Sequence, residues 1–177
     1  MSTKMYFDMD GVLADFDASA CKILDRKDLN YRTEVMAGDA LEAKKKRWLD
    51  IEQTPGFWEN LQPIVGVESM LAAASKLSEI FVLSTAPSAK RFIKGDEYVQ
   101  HIIDAKKAWI ARYFGKFFAP EHVIIVRDSK EKIAKSGPDS LLIDDRAENI
   151  SDWINAGGRG IVFKSPSQVI KDMSGEF

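Results

Sequence analysis

Asp8 and Asp10 stand one residue apart at the end of the apolar run Met5-Tyr6-Phe7, with Gly11 next. Two like charges that close repel, so either solvent screens them or a cation shares them. A second carboxylate pair, Asp144-Asp145, ends the run Ser140-Leu141-Leu142-Ile143. Two hydroxyls, Ser84 and Thr85, follow Glu79 to Leu83, and Lys130 follows His122 to Val126 within Arg127-Asp128-Ser129-Lys130. Carboxylates from the first and fourth strand ends suit a hard, oxygen-seeking cation such as magnesium. A hydroxyl and an ammonium suit the oxygens of a phosphoryl group, whose transfer needs in-line positioning and charge neutralisation. The nucleophile is then water or a carboxylate, with Asp8 placed for an aspartyl-phosphate and Asp10 for two-way proton transfer.

Each of these residues also has a plain structural reading. Asp8 and Asp10 can open a turn, although the early glycine and the preceding strand argue against a calcium loop. Ser84 or Thr85 can cap the next segment, and Asp145 with Glu148 has capping-box spacing. Among Lys130, Lys132 and Lys135, position in the chain favours Lys130.

The elements that must carry these groups are short apolar runs alternating with segments of helical period. Strands are expected at 5–7, 79–83, 122–126, 140–143 and 160–163, and helices at Val67 to Leu77, Glu97 to Phe114 and Ala147 to Ala156. In the first of these helices Leu71, Ala74 and Leu77 share one face. This alternation predicts an α/β fold with a parallel sheet flanked by helices, whose carboxyl edge gathers all the polar groups above. The rhythm breaks between about Phe16 and Pro63, where two helices, Ala14 to Leu24 and Asp39 to Ile51, predict a helical insert folded over one sheet edge. Pro55-Gly56 and Pro63 mark its turns.

The chain has 177 residues, enough for one domain with a small insert. Its 45% hydrophobic and 29% charged residues fit a globular protein, and a net charge of -2 offers no electrostatic case for a nucleic-acid polymer. The single cysteine, Cys21, cannot pair within the chain and fits a reducing compartment. With no leader and no apolar run long enough for a bilayer, we expect a soluble, cytoplasmic protein without membrane contact. On that expectation the sequon Asn149-Ile150-Ser151 is a chance match.

In their order, Asp8-Met9-Asp10-Gly11-Val12, Leu83-Ser84-Thr85-Ala86-Pro87, the lysine of 127–130 and Leu142-Ile143-Asp144-Asp145-Arg146 resemble the haloacid dehalogenase-like (HAD) superfamily of phosphohydrolases. A narrower likeness is to the 5′(3′)-deoxyribonucleotidases, in the start that runs through Phe16, in 56–68, and in the helix of Lys106 and Trp109. The resemblance implies a Rossmann-like HAD core over 1–15 and 64–177 and a small helical cap over 16–63. It further implies Asp8 as covalent nucleophile, Asp10 as acid and base, and phosphate binding by Thr85 and Lys130, with Ser84 as a further hydroxyl. Magnesium would be held by Asp8, the carbonyl of Asp10, and Asp144 or Asp145, and Lys106 would bind substrate.

Phe16, Phe57 and Trp58 have flat faces on which a nucleobase could stack. Two departures stand out: Ala86 replaces a serine of the animal relatives, and the stretch from Asp128 to Asp139 is longer, which makes Lys132 the alternative lysine. The expected activity is a magnesium-dependent hydrolysis of (deoxy)nucleoside monophosphates, with room for a homodimer. Its competitors are a HAD phosphatase for another small phosphate ester or a polynucleotide end, and a non-catalytic metal- or phosphate-binding module of the same fold.

Overall fold

A computed structural model describes residues 3–23 and 40–176. Five of its strands, β1 (Lys4–Phe7), β4 (Glu79–Thr85), β5 (Val123–Val126), β6 (Ser140–Asp144) and β7 (Arg159–Val162), form one sheet in the order β5-β4-β1-β6-β7. Every pairing in it is parallel. Within each strand, alternate residues serve opposite faces, as the period of two requires. Met5, Phe7, Ile80, Val82, Leu141 and Ile143 enter the larger core, and Tyr6, Phe81, Leu83 and Leu142 enter a second cluster with Trp153.

Helices α3 (Val67–Leu77), α4 (Gly95–Phe114), α6 (Ala147–Asn155) and α7 (Pro166–Glu176) flank the sheet, with α3 on α7 and α6 on β6 and β7. The expected strands and helices appear with ends shifted by one or two residues. Leu77, expected on the buried face of α3, is exposed because the helix ends there, and Val67, Met70, Leu71 and Ala74 make the contact. Helix α7 and the five-residue α5 (Ser129–Ile133) were not marked by apolar period. Helix α7 does carry a start signal: Pro166 opens it, and Ser165 Oγ accepts the N–H of Gln168 at 3.2 Å.

The insert leaves and rejoins the sheet through a two-stranded antiparallel ribbon, β2 (Ala14–Asp15) against β3 (Gln62–Pro63). That pairing corrects the helix expected from Ala14: α1 is Phe16–Ile23, and Asp15 caps it by accepting the N–H of Ala18 at 3.1 Å. The second insert helix is α2 (Ala40–Glu52). Leu24 and Asp39, the expected ends of the two helices, lie outside the described residues, as does the polar segment between them.

Strand order decides where chemistry collects. From β1 the chain moves outward through β4 to β5, then crosses to β6 and moves outward the other way to β7. The connections therefore diverge between β1 and β6, and in open parallel sheets ligands bind in the crevice at that point. Asp8 follows β1 and Asp144 ends β6, so the switch point falls between two of the expected carboxylates.

Candidate active site

The sheet ladder continues one residue past β1, where the Asp8 N–H donates to Ile143 O at 2.9 Å. The chain then turns tightly around one carbonyl: Met9 O accepts from Leu13 and Ala14, both at 2.9 Å, and the Gly11 N–H donates to Ala14 O at 2.8 Å. Met9 is fully buried, so Asp8 and Asp10 on either side of it project away from that core contact. Gly11 has φ 83, the left-handed region that favours glycine. Space matters there as well, since a Cβ on Gly11 would lie 2.5 Å from Oδ2 of Asp145.

Each carboxylate of the turn has its own buried lysine. Lys132 Nζ lies 2.9 Å from Asp8 Oδ1 and 2.9 Å from Asp144 Oδ2. Lys106 Nζ lies 2.6 Å from Asp10 Oδ2, and also donates to Ser84 Oγ at 3.3 Å and Thr85 O at 3.1 Å. Both lysines are almost wholly buried, and a buried charge persists only where it is paired and hydrogen-bonded. Burial alone would lower the Lys132 ammonium, but Asp8 and Asp144 together reverse that and hold it above the usual lysine range. Burial pushes the Asp10 carboxyl upward against the pull of Lys106, and the charge of Asp8 adds to the rise. A carboxyl held in that direction is suited to giving and taking a proton.

Asp8, Asp144 and Asp145 each present an oxygen atom, all within 4.8 Å of one another. Lys132 is shared between two of these carboxylates, Asp8 and Asp144. Hard oxygen donors at this spacing and charge fit a divalent cation.

Lys130, the lysine favoured by sequence position, is exposed, and Lys132 takes the place at the carboxylates. The reason is local. Asp128 and Glu131 form a capping box at the start of α5, with the Lys130 N–H donating to Asp128 Oδ1 at 2.9 Å. The first turn, with Lys130, is thereby left in solvent, and Lys132 faces the strand ends. Of the two hydroxyls, Ser84 is buried beside Lys106, whereas Oγ1 of Thr85 is buried and receives no hydrogen bond from the described residues.

Two of the three aromatic residues named for base stacking are covered by packing. Phe57 is 1% and Trp58 0% exposed, so neither presents a free face. They pack with Phe16 in a cluster whose ring centroids are 5.3 to 5.7 Å apart. Trp58 supports the site from beneath, with Lys106 Nζ 5.3 Å from its ring centroid, a cation–π contact. Phe16 keeps 7% exposure. Lys106, expected to touch substrate, donates to Asp10, Ser84 and the Thr85 carbonyl. A hollow of about 440 Å³ is lined by residues including Glu52, Lys94, Tyr98 and His101 and by none of the site residues above.

Asn149 went unnoticed as a site residue. Its amide nitrogen lies 3.0 and 2.9 Å from the two oxygens of Asp144. The available signal was its position five residues after Asp144, at the start of a helical segment.

Comparison with known proteins agrees with this architecture. The family described as "5' nucleotidase, deoxy (Pyrimidine), cytosolic type C protein" matches residues 2–173. A human cytosolic-type 5′(3′)-deoxyribonucleotidase is 27% identical over 157 residues, covering 82% of this chain and 71% of the human one. A haloacid dehalogenase-like family hydrolase from Xanthomonas campestris superposes with a TM-score of 0.56 at 14% identity, covering 98% of this chain and 91% of that one. A HAD hydrolase from Bacillus subtilis, solved with magnesium bound, superposes with a TM-score of 0.52 at 16% identity, over 90% of this chain and 85% of that one. The likeness to these two structures is one of fold. No described helix is long and apolar enough to cross a membrane.

Proposed function

We propose, from the premise that this chain belongs to the cytosolic type C family of deoxy (pyrimidine) 5′-nucleotidases and is a phosphatase of that HAD type, that it hydrolyses deoxyribonucleoside monophosphates in a magnesium-dependent reaction. The observation that carries the reading is the single turn bearing two carboxylates, each held by a different buried lysine. Two carboxylates with separate partners are suited to separate tasks.

In this reading 1–15 and 64–177 form the catalytic core and 16–63 the cap. The carboxylates of Asp8, Asp144 and Asp145, with the Asp10 carbonyl, would hold magnesium. When bound, the ion supplies charge neutralisation on the phosphoryl oxygens.

Asp8 attacks phosphorus, the ester P–O bond breaks, and Asp10 gives its proton to the departing oxygen. Asp10 then takes a proton from water, which attacks the phospho-aspartate; the P–O bond to Asp8 breaks and inorganic phosphate leaves. Lys132, with Ser84 and Thr85 at the end of β4, binds the phosphoryl oxygens, and the unsatisfied Thr85 hydroxyl is available for one of them. Lys106 orients Asp10. Phe16, beside the catalytic turn, borders the leaving group.

Phosphate release is to be measured on deoxyribonucleoside and ribonucleoside monophosphates, a sugar phosphate and an oligonucleotide end, with and without magnesium. The expected result is magnesium-dependent release, fastest from deoxyribonucleoside monophosphates and lost in Asp8→Asn. Equal rates in Asp8→Asn and the parent would contradict the mechanism.

A further inference from the structure

Asn149 occupies the third position of α6, the helix that follows β6. Every Cα–Cβ bond of an α-helix leans towards the amino terminus, so a side chain here reaches back over the end of β6. A carboxylate can only accept, so the contacts at 3.0 and 2.9 Å are one amide N–H of Asn149 shared between Oδ1 and Oδ2 of Asp144. The backbone N–H of Arg146 adds a donation to Oδ1 at 2.9 Å, and Lys132 one to Oδ2 at 2.9 Å. Three donor groups thus hold Asp144, one of them shared between its two oxygens, and acceptor capacity is left for a cation. A capping side chain would accept from a backbone N–H. Asn149 donates instead, and to a buried charge.

A carboxylate anchored through one oxygen can still turn about its Cβ–Cγ bond; a donor that brackets both oxygens sets its plane. The plane of Asp144 in turn decides where Oδ2 meets Lys132, and Lys132 makes its other hydrogen bond to Asp8. We propose that Asn149 is a positioning residue: by fixing Asp144 within the carboxylate triad it fixes Lys132 beside Asp8. It acts through Asp144 and Lys132 and not on the substrate. The inference rests on the roles given above to Asp8 and Lys132. It also gives work to a residue that the sequon triplet had left as coincidence.

The test uses the full chain with Asn149→Leu, which keeps the volume without a donor, and Asn149→Ser, which keeps one donor. Two quantities are read: kcat and KM on 2′-deoxyuridine 5′-monophosphate, and the Kd of Mg2+ by titration calorimetry without substrate. Partners that orient metal ligands are worth about 10–100-fold in metal affinity or activity. Asn149→Leu is therefore expected to weaken Mg2+ binding and lower kcat within about that range, with Asn149→Ser in between and circular dichroism unchanged for both. Parental Mg2+ affinity and kcat, within about twofold, in both variants would overturn the inference. So would losses in Asn149→Leu that follow only its folded fraction while Asn149→Ser behaves as the parent. Asp8→Asn is assayed alongside. If it turns over at the parental rate the phospho-aspartate reading fails, whereas the Mg2+ titrations of the Asn149 variants still judge the positioning role.

Discussion

Lys106 Nζ lies 2.6 Å from Oδ2 of Asp10, although the two residues come from α4 and the turn after β1, 96 positions apart in the chain. The lysine belongs to the buried stripe of α4, among Ile102, Ile103, Trp109 and Ile110. Its ammonium meets an acid at one end and the ring of Trp58 beneath.

That pairing makes the effects of the two residues non-additive. Lys106→Met is expected to lower kcat/KM by about 10²–10⁴-fold, the usual worth of acid–base catalysis. Asp10→Asn should cost a similar amount, and the double variant little more than either alone. Lys106→Met should also lose about 1–3 kcal/mol of stability, because it leaves the part-buried Asp10 carboxylate without its partner, and part of this should return in the double variant. Steady-state kinetics and urea unfolding of the three variants measure both effects.

The two candidate phosphate lysines predict different outcomes. Lys132→Met removes the ammonium that Asp8 and Asp144 share, so activity should fall by at least about 10²-fold. Without the lysine, the carboxylates repel one another, and added Mg2+ should raise the thermal midpoint more than in the parent. Lys130→Met, on the exposed turn, should stay within about twofold of the parent in both measurements.

Gly11→Ala meets two obstacles, the positive φ and the carboxylate of Asp145. The left-handed backbone alone costs an alanine about 1–2 kcal/mol. Moving Asp145 should also raise the Mg2+ concentration needed for half-maximal activity. Chemical unfolding and a Mg2+ titration of activity read the two effects separately.

The carboxyl-terminal end of α2 is tied to the segment before α4 by Glu52, whose carboxylate accepts the N–H groups of Ile93 and Lys94, both at 2.8 Å. These lie just ahead of α4, where the helix dipole favours a negative charge. Glu52→Ala is expected to cost about 1–2 kcal/mol in urea unfolding, with Glu52→Gln between it and the parent and kcat little changed in either.

The sheet was legible because its central strands β1, β4 and β6 are buried on both faces, and these and the half-buried edge strands β5 and β7 read as apolar runs. Their carboxyl ends then located Asp8, Asp10, Ser84, Thr85, Asp144 and Asp145 along one edge. Other features sat below the resolution of pattern. The strands β2 and β3 have two residues each, and α5 has five, too few to show a period; chain position favoured Lys130 over Lys132, and which way that turn faces puts Lys132 at the carboxylates instead. Phe57 and Trp58 carry flat faces in the sequence, and their burial against Phe16 is set by packing that no pattern shows. Asn149 is a residue type whose work depends on orientation, which only the strand end beside it reveals.

The central claim is that Asp8 becomes phosphorylated. The most direct measurement uses Asp10→Asn, which lacks the base for the second step, with p-nitrophenyl phosphate, whose leaving group needs little protonation. After rapid quenching, the protein is digested and mapped by mass spectrometry for a hydroxylamine-sensitive phosphoryl group. The account predicts a burst of about one p-nitrophenolate per protein molecule and the phosphoryl group on Asp8. Continued p-nitrophenolate release with residue 8 unmodified, or the group on another residue, would contradict it.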